Sequence, residues 1–96
     1  MKNSLNYIDA DLNNVLPVLE LKLKQIFGDK LRKIILYGSY ARGNYDSESD
    51  IDILVIIDDL NLRRYNQLLS QIELELFSKF NLLFSIMPEN ENYFLK

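Results

Sequence analysis

Cysteine is absent from this 96-residue chain, so disulfides, thiolate catalysis and zinc–thiolate sites are excluded. Histidine is absent too, which removes the commonest general base and the commonest transition-metal ligand. Any bound metal must then be held by oxygen, which points to Mg²⁺, Mn²⁺ or Ca²⁺. No apolar run approaches membrane-spanning length. The first residues, Met1 to Asn6, lack the apolar stretch of a signal peptide, so a cytoplasmic protein is the expectation. Excess positive charge is missing as well. The formal net charge is -3, which argues against direct nucleic-acid binding through phosphate contacts. What is present is hydrophobic mass, 48% of the residues, enough for one small core over residues 1–96. No repeat, linker or low-complexity segment divides the chain.

Two short stretches carry chemistry. Gly38-Ser39-Tyr40-Ala41-Arg42-Gly43 follows an apolar run, Ile34 to Tyr37. Ser49-Asp50-Ile51-Asp52 opens a second apolar run, Ile53 to Ile57. On a strand, positions i and i+2 point to one face, so Asp50 and Asp52 project side by side. Like charges held that close repel unless a cation shares the site, and a divalent metal is the simplest cation. Gly38 lets a phosphate approach the main chain, and Ser39 offers a hydroxyl and helix N-terminal N–H groups to it. Arg42 either reaches the same phosphates or pairs with the acidic loop. Ser49 either orients Asp50 or closes the loop. Tyr40 is read as a packing residue before a base-stacking one.

Two rival motifs fail. Gly38 and Gly43 satisfy the glycine spacing of a P-loop, but Asn44 and Tyr45 stand where Lys and Ser or Thr are required. Asp46, Glu48, Asp50 and Asp52 alternate as in a calcium loop, but Ile51 replaces the obligatory Gly and Ile57 the final Glu.

The paired stretches, G-S-x-A-x-G then S-D-x-D, resemble the signature of the DNA polymerase beta-like nucleotidyltransferases. The small size resembles their minimal nucleotidyltransferase branch, the antitoxins paired with HEPN toxins. The resemblance implies an α+β nucleotidyltransferase fold, a small mixed sheet with helices packed on it. It implies transfer of a nucleoside monophosphate, AMP from ATP or another NTP, to a hydroxyl such as a tyrosine of a HEPN toxin. It assigns Asp50 and Asp52 to Mg²⁺, with Mn²⁺ as substitute, and Gly38, Ser39, Arg42 and Ser49 to the nucleotide. The alternative is an antitoxin with a weak or inactive site that neutralises its toxin by contact. One departure favours it: active members carry a third carboxylate on the strand after the long helix, and Leu82–Met87 has none. Ser85 or Leu83 is expected near that place. Oligomeric state stays open, a homo-oligomer included.

The element pattern is as follows. Residues 1–8 form a loose start. A helix from Asp9 carries Leu12, Val15, Leu16, Leu19, Leu23, Ile26 and Phe27 on one face, starts or kinks at Pro17, and stops at Gly28. Strands are expected at Lys33–Tyr37, central in the sheet, and at Asp50–Ile57. Ser39 to Arg42 begins a short helix. Asp58 and Asp59 cap a helix over 61–79 that buries Tyr65, Leu68, Leu69, Ile72, Leu76 and Phe77 and turns Glu73 and Glu75 to water. Asn81 is its C-cap. A third strand, Leu82–Met87, ends at Pro88, and one helical turn passes through Tyr93 and Phe94.

Overall fold

A computed structural model of the protein describes residues 2–38 and 50–94, with side chains over 13–38 and 50–93. The fold is α+β. Helix α1 spans Lys2–Phe27, strand β1 Leu31–Tyr37, strand β2 Ile51–Ile57, helix α2 Asn66–Phe80, strand β3 Phe84–Asn90 and the single turn α3 Glu91–Phe94. The sheet is mixed, in the order β1-β2-β3: β1 runs antiparallel to β2, and β3 parallel to it. Among the described residues, no helix is long and apolar enough to cross a membrane.

One face of the sheet is the core. Ile51, Ile53, Val55 and Ile57 of β2 and Phe84 and Ile86 of β3 meet Val15, Leu19, Leu23 and Phe27 of α1 and Leu69, Ile72 and Leu76 of α2. Each strand gives alternate residues to this face, and each helix gives residues three and four apart. Truncating a fully buried member such as Leu19 or Leu76 to Ala typically costs about 2–5 kcal/mol.

Several expectations are corrected. Helix α1 begins at Lys2, not Asp9, and runs through Pro17, whose ring is solvent-exposed. β1 is not central. It lies at one edge of the described sheet, and β2, covered by strands on both sides, takes the middle. β1 also starts two residues earlier, at Leu31, because a bulge between Leu31 and Lys33 absorbs Arg32. The freed guanidinium bonds the Asp29 carbonyl at 2.7 Å, Asp58 at 3.1 Å and Glu91 at 3.2 Å. β3 does not stop before Pro88 but carries it inside. Ladder alternation explains why. Ile86 donates away from β2, to the Glu73 carboxylate at 2.8 Å, so two residues later a backbone N–H would point at the open edge. A proline there forfeits no ladder bond. Glu73 is therefore not a solvated residue.

Leu68 and Phe77 are 43% and 44% exposed; the buried stripe of α2 is narrower than expected. The helix is preceded by a 3₁₀ turn, Leu62–Tyr65, and neither start has a side-chain cap. Asp59 instead closes the loop ahead of both, accepting from the Asn61 N–H at 2.9 Å. Asn81 does end α2, in the left-handed region at φ 58°, donating to the Phe77 carbonyl at 2.8 Å. The expected turn over Tyr93 and Phe94 is present as α3.

Candidate active site

The face of the sheet turned away from α1 and α2 carries Asp52. Tyr37 of β1 stands level with Asp52 of β2, and Asp52 stands level with Ser85 of β3. Residues level across a sheet share a face, so Tyr37, Asp52 and Ser85 form one row. Asp50 is exposed and lies one residue ahead of β2, two positions before Asp52. The start of β2 is fixed to β3 by the Ile51 N–H, which donates to the Leu83 carbonyl at 2.8 Å. Behind this first row lies an apolar one, Ile35, Leu54 and Met87.

Gly38 closes the site from the β1 side. Its φ is +77°, in the left-handed region. A Cβ at this position would overlap the Asp52 carboxylate oxygen and stand 3.2 Å from Asp52 Cγ. The glycine therefore leaves space for the carboxylate itself. The sequence reading reserved that space for a phosphate; the geometry gives it first to Asp52. Of the other nucleotide-site residues, Ser39, Arg42 and Ser49 lie outside the described residues, as does Tyr40 and the short helix expected from Ser39. Ser85, and not Leu83, is the β3 residue level with Asp52. Tyr37 was missed by the sequence reading, because a near-continuous apolar run does not reveal which alternate residues face the site.

The arrangement fits a magnesium ion. The donors are two carboxylates two residues apart, one of them seated in a cradle that a methyl group would fill. Among the described residues there is no group of three His, Cys, Asp or Glu that could hold a metal by itself. Mg²⁺ is commonly held by one or two carboxylates, with substrate phosphates and water completing its octahedron.

Among the described residues, the most perturbed carboxylate lies elsewhere, at the far end of the sheet. Asp59 is held well below the usual carboxylate range, first by the Tyr65 hydroxyl that donates to it, then by the Asn61 N–H and Lys30. Burial, and then the bond to Asp59, push the Tyr65 phenol up. The Asp59 carbonyl accepts from Asn90 Nδ2 at 2.9 Å, tying this loop to the end of β3. Every partner of Asp59 is structural, and its residues are remote in register from Asp52. The cluster locks the loop after β2 and has no part in the site.

The site is thus a left-handed glycine at the end of one strand, set against a carboxylate of the next. Residues 17–94 match the nucleotidyltransferase domain family, and the chain belongs to it. Among its relatives is "Putative protein adenylyltransferase MJ1305" of Methanocaldococcus jannaschii, 43% identical over 88 residues, 88% of this chain and 60% of that protein. "Putative protein adenylyltransferase MJ0141" of the same organism is 38% identical over 63 residues, 66% of this chain and 64% of that protein. The chain thus spans about three fifths of the length of these curated relatives. No solved structure gives a significant match.

Proposed function

We propose that the chain transfers a nucleoside monophosphate, AMP from ATP, to a hydroxyl of a partner protein. The observation that carries this reading is the fit of Gly38 against Asp52, which spends a left-handed glycine on keeping one carboxylate in place. Both relatives carry the name "Putative protein adenylyltransferase", which supports a protein acceptor. The acceptor class we favour is a tyrosine of a HEPN-type toxin, with this chain as antitoxin in the cytoplasm.

In the transfer, the acceptor oxygen forms a bond to the α-phosphorus as the bond from that phosphorus to the β-phosphate oxygen breaks. Pyrophosphate leaves with the electron pair, and the hydroxyl proton passes to solvent or to a base on the partner. Mg²⁺ held by Asp50 and Asp52 would supply positive charge to the phosphates. Asp52 is oriented by β2, which is paired on both sides, and by the bare backbone of Gly38. Gly38, Ser39, Arg42 and Ser49 are the residues that would take up the phosphates.

A second reading, an antitoxin that acts by contact and transfers weakly or not at all, is favoured by one observation. Ser85, level with Asp52, brings a hydroxyl where the resemblance calls for a carboxylate. Incubating the protein with each nucleoside triphosphate, Mg²⁺ and the product of the neighbouring gene, then weighing both proteins intact, separates the two. An added AMP mass on the partner that disappears with Asp52→Asn supports transfer. A tight complex with no mass change supports the second reading.

A further inference from the structure

The two edges of the sheet are treated differently. On β3, the outward N–H of Ile86 is capped by Glu73, and Pro88 removes the next outward donor. Both are known ways of blunting an edge against pairing. β1 has neither device beyond its bulge at Arg32. Which of its groups are free follows from the ladder. The Ile51 N–H bonds to β3, so in β2 the odd residues bond toward β3 and the even ones toward β1. The bond from the Asp58 N–H to the Lys30 carbonyl, 2.9 Å, agrees with this alternation. Lys33, Ile35 and Tyr37, level with Ile56, Leu54 and Asp52, are then the residues of β1 bonded to β2. Ile34 and Leu36 direct their N–H and C=O groups at an edge that no other strand covers among the described residues.

The side chains of Ile34 and Leu36 are only partly buried. They line a cleft of ≈ 380 Å³ between α1 and β1, together with Leu16, Leu31 and the core residue Ile53. An edge with free backbone groups therefore runs along an incompletely covered part of the core.

We propose that β1 pairs antiparallel with β1 of a second copy of this chain, about a two-fold axis at Ile35. Three features of the strand fit itself in this register. Ile34 falls opposite the partner's Leu36 and Leu36 opposite the partner's Ile34, so all the free backbone groups of these residues are paired at once. The same two pairs bring apolar side chains together over the cleft. On the other face, Lys33 meets the partner's Tyr37, a cation beside a phenol, and Ile35 meets the partner's Ile35. No like charges face each other across the axis. An axis at Ile34 would instead set Leu36 against the bulged Arg32 of the partner, and an axis at Leu36 would set Ile34 against the partner's Gly38, so neither brings both apolar residues into pairs. The result is a closed pair with a continuous six-stranded sheet, and the open edges that remain are the two blunted β3 strands.

The test uses the full chain, which has no cysteine of its own. Sedimentation equilibrium at tens of micromolar should give twice the chain mass. Ile35→Cys places two thiols in a pair not bonded through the backbone, about 4.5 Å apart at Cα, within reach of a disulfide. It should cross-link to a dimer under mild oxidation. Lys33→Cys, four residues from its own copy in this register, should not. Ile35→Lys and Ile35→Glu should each sediment as monomers, and their mixture should recover the dimer. A wild-type monomer, equal cross-linking of the two cysteine variants, or a mixture that stays monomeric overturns the proposal. None of these readings depends on nucleotide, so the proposal stands or falls apart from the transfer activity.

Discussion

Substituting Gly38 by Ala inserts one methyl group at the point where the strand pair meets the site. Two consequences follow, and they are separable. An alanine at φ +77° bears the left-handed penalty of an L-residue, about 1–2 kcal/mol. Reduced freedom of the unfolded chain returns about 0.4–1 kcal/mol of that. The net loss of roughly 1 kcal/mol corresponds to a fall in Tm of about 4–8 °C for a domain of this size. The second consequence is local. The methyl overlaps an Asp52 carboxylate oxygen, so that side chain must turn away. Removing one preorganised charged or hydrogen-bonding group from an active site typically costs on the order of 10²–10³ in rate. Transfer to the acceptor, read by intact mass over time, should therefore fall at least ~100-fold in Gly38→Ala. The Mg²⁺ concentration for half-maximal ATP binding should rise in parallel. A Gly38→Ala protein that melts lower but binds Mg²⁺-ATP and transfers as the wild type does would refute the reasoning. Gly38 would then be a turn residue only.

Asp50→Asn and Asp52→Asn should each abolish Mg²⁺-dependent ATP binding in calorimetry while the thermal melt stays cooperative; equal binding by the double variant would remove the metal site. Ser85→Asp puts a carboxylate level with Asp52 and should raise transfer, most clearly with Mn²⁺, by part of the ~10²–10⁴ that a placed general base supplies. A fast wild type inactivated by Ser85→Asp would show that the site works without a third carboxylate. The depressed Asp59 carboxyl stabilises the fold above its ordinary titration range and loses that contribution as pH falls below it. The raised Tyr65 phenol contributes below its ordinary range and loses its contribution as pH rises through the folded value. Tyr65→Phe should therefore lower Tm most near neutral pH, with the gap to wild type narrowing toward both pH 2 and pH 11; a gap independent of pH would show that the loss is packing alone.

The parts of the fold legible in the sequence are those with a local cause. Asn81 could be placed because a residue after a helical stripe that tolerates the left-handed region is a C-cap wherever it occurs. Gly38 at the end of one strand and Asp50 and Asp52 at the start of the next could be placed because their spacing relative to two apolar runs is itself the signal. What failed depended on partners. Ile34–Tyr37 and Ile53–Ile57 are equally apolar, yet one run is an edge strand and the other central. No property of either run alone decides between them. Pro88 was read as a stop because a proline ends a central strand, and the sequence does not say that its missing N–H would face outward. Glu73 looked like a solvated helix residue until the open edge of β3 gave it a donor.

The site shows the same division one level down. The sequence identifies Asp50, Asp52 and Gly38 as a set, but not how they act on one another. Register supplies that link. Because Tyr37 is level with Asp52, the residue after it comes alongside the carboxylate, and a Cβ there would displace the carboxylate oxygen. The glycine is thus favoured twice, by its own dihedral and by its neighbour's side chain. That double preference is the physical reason for proposing the pair as a site. A strand-to-helix turn needs the first property but has no use for the second. A solubilising aspartate at a strand end has no need of a glycine packed against it. The two bland explanations each account for one residue, and neither accounts for the contact between them.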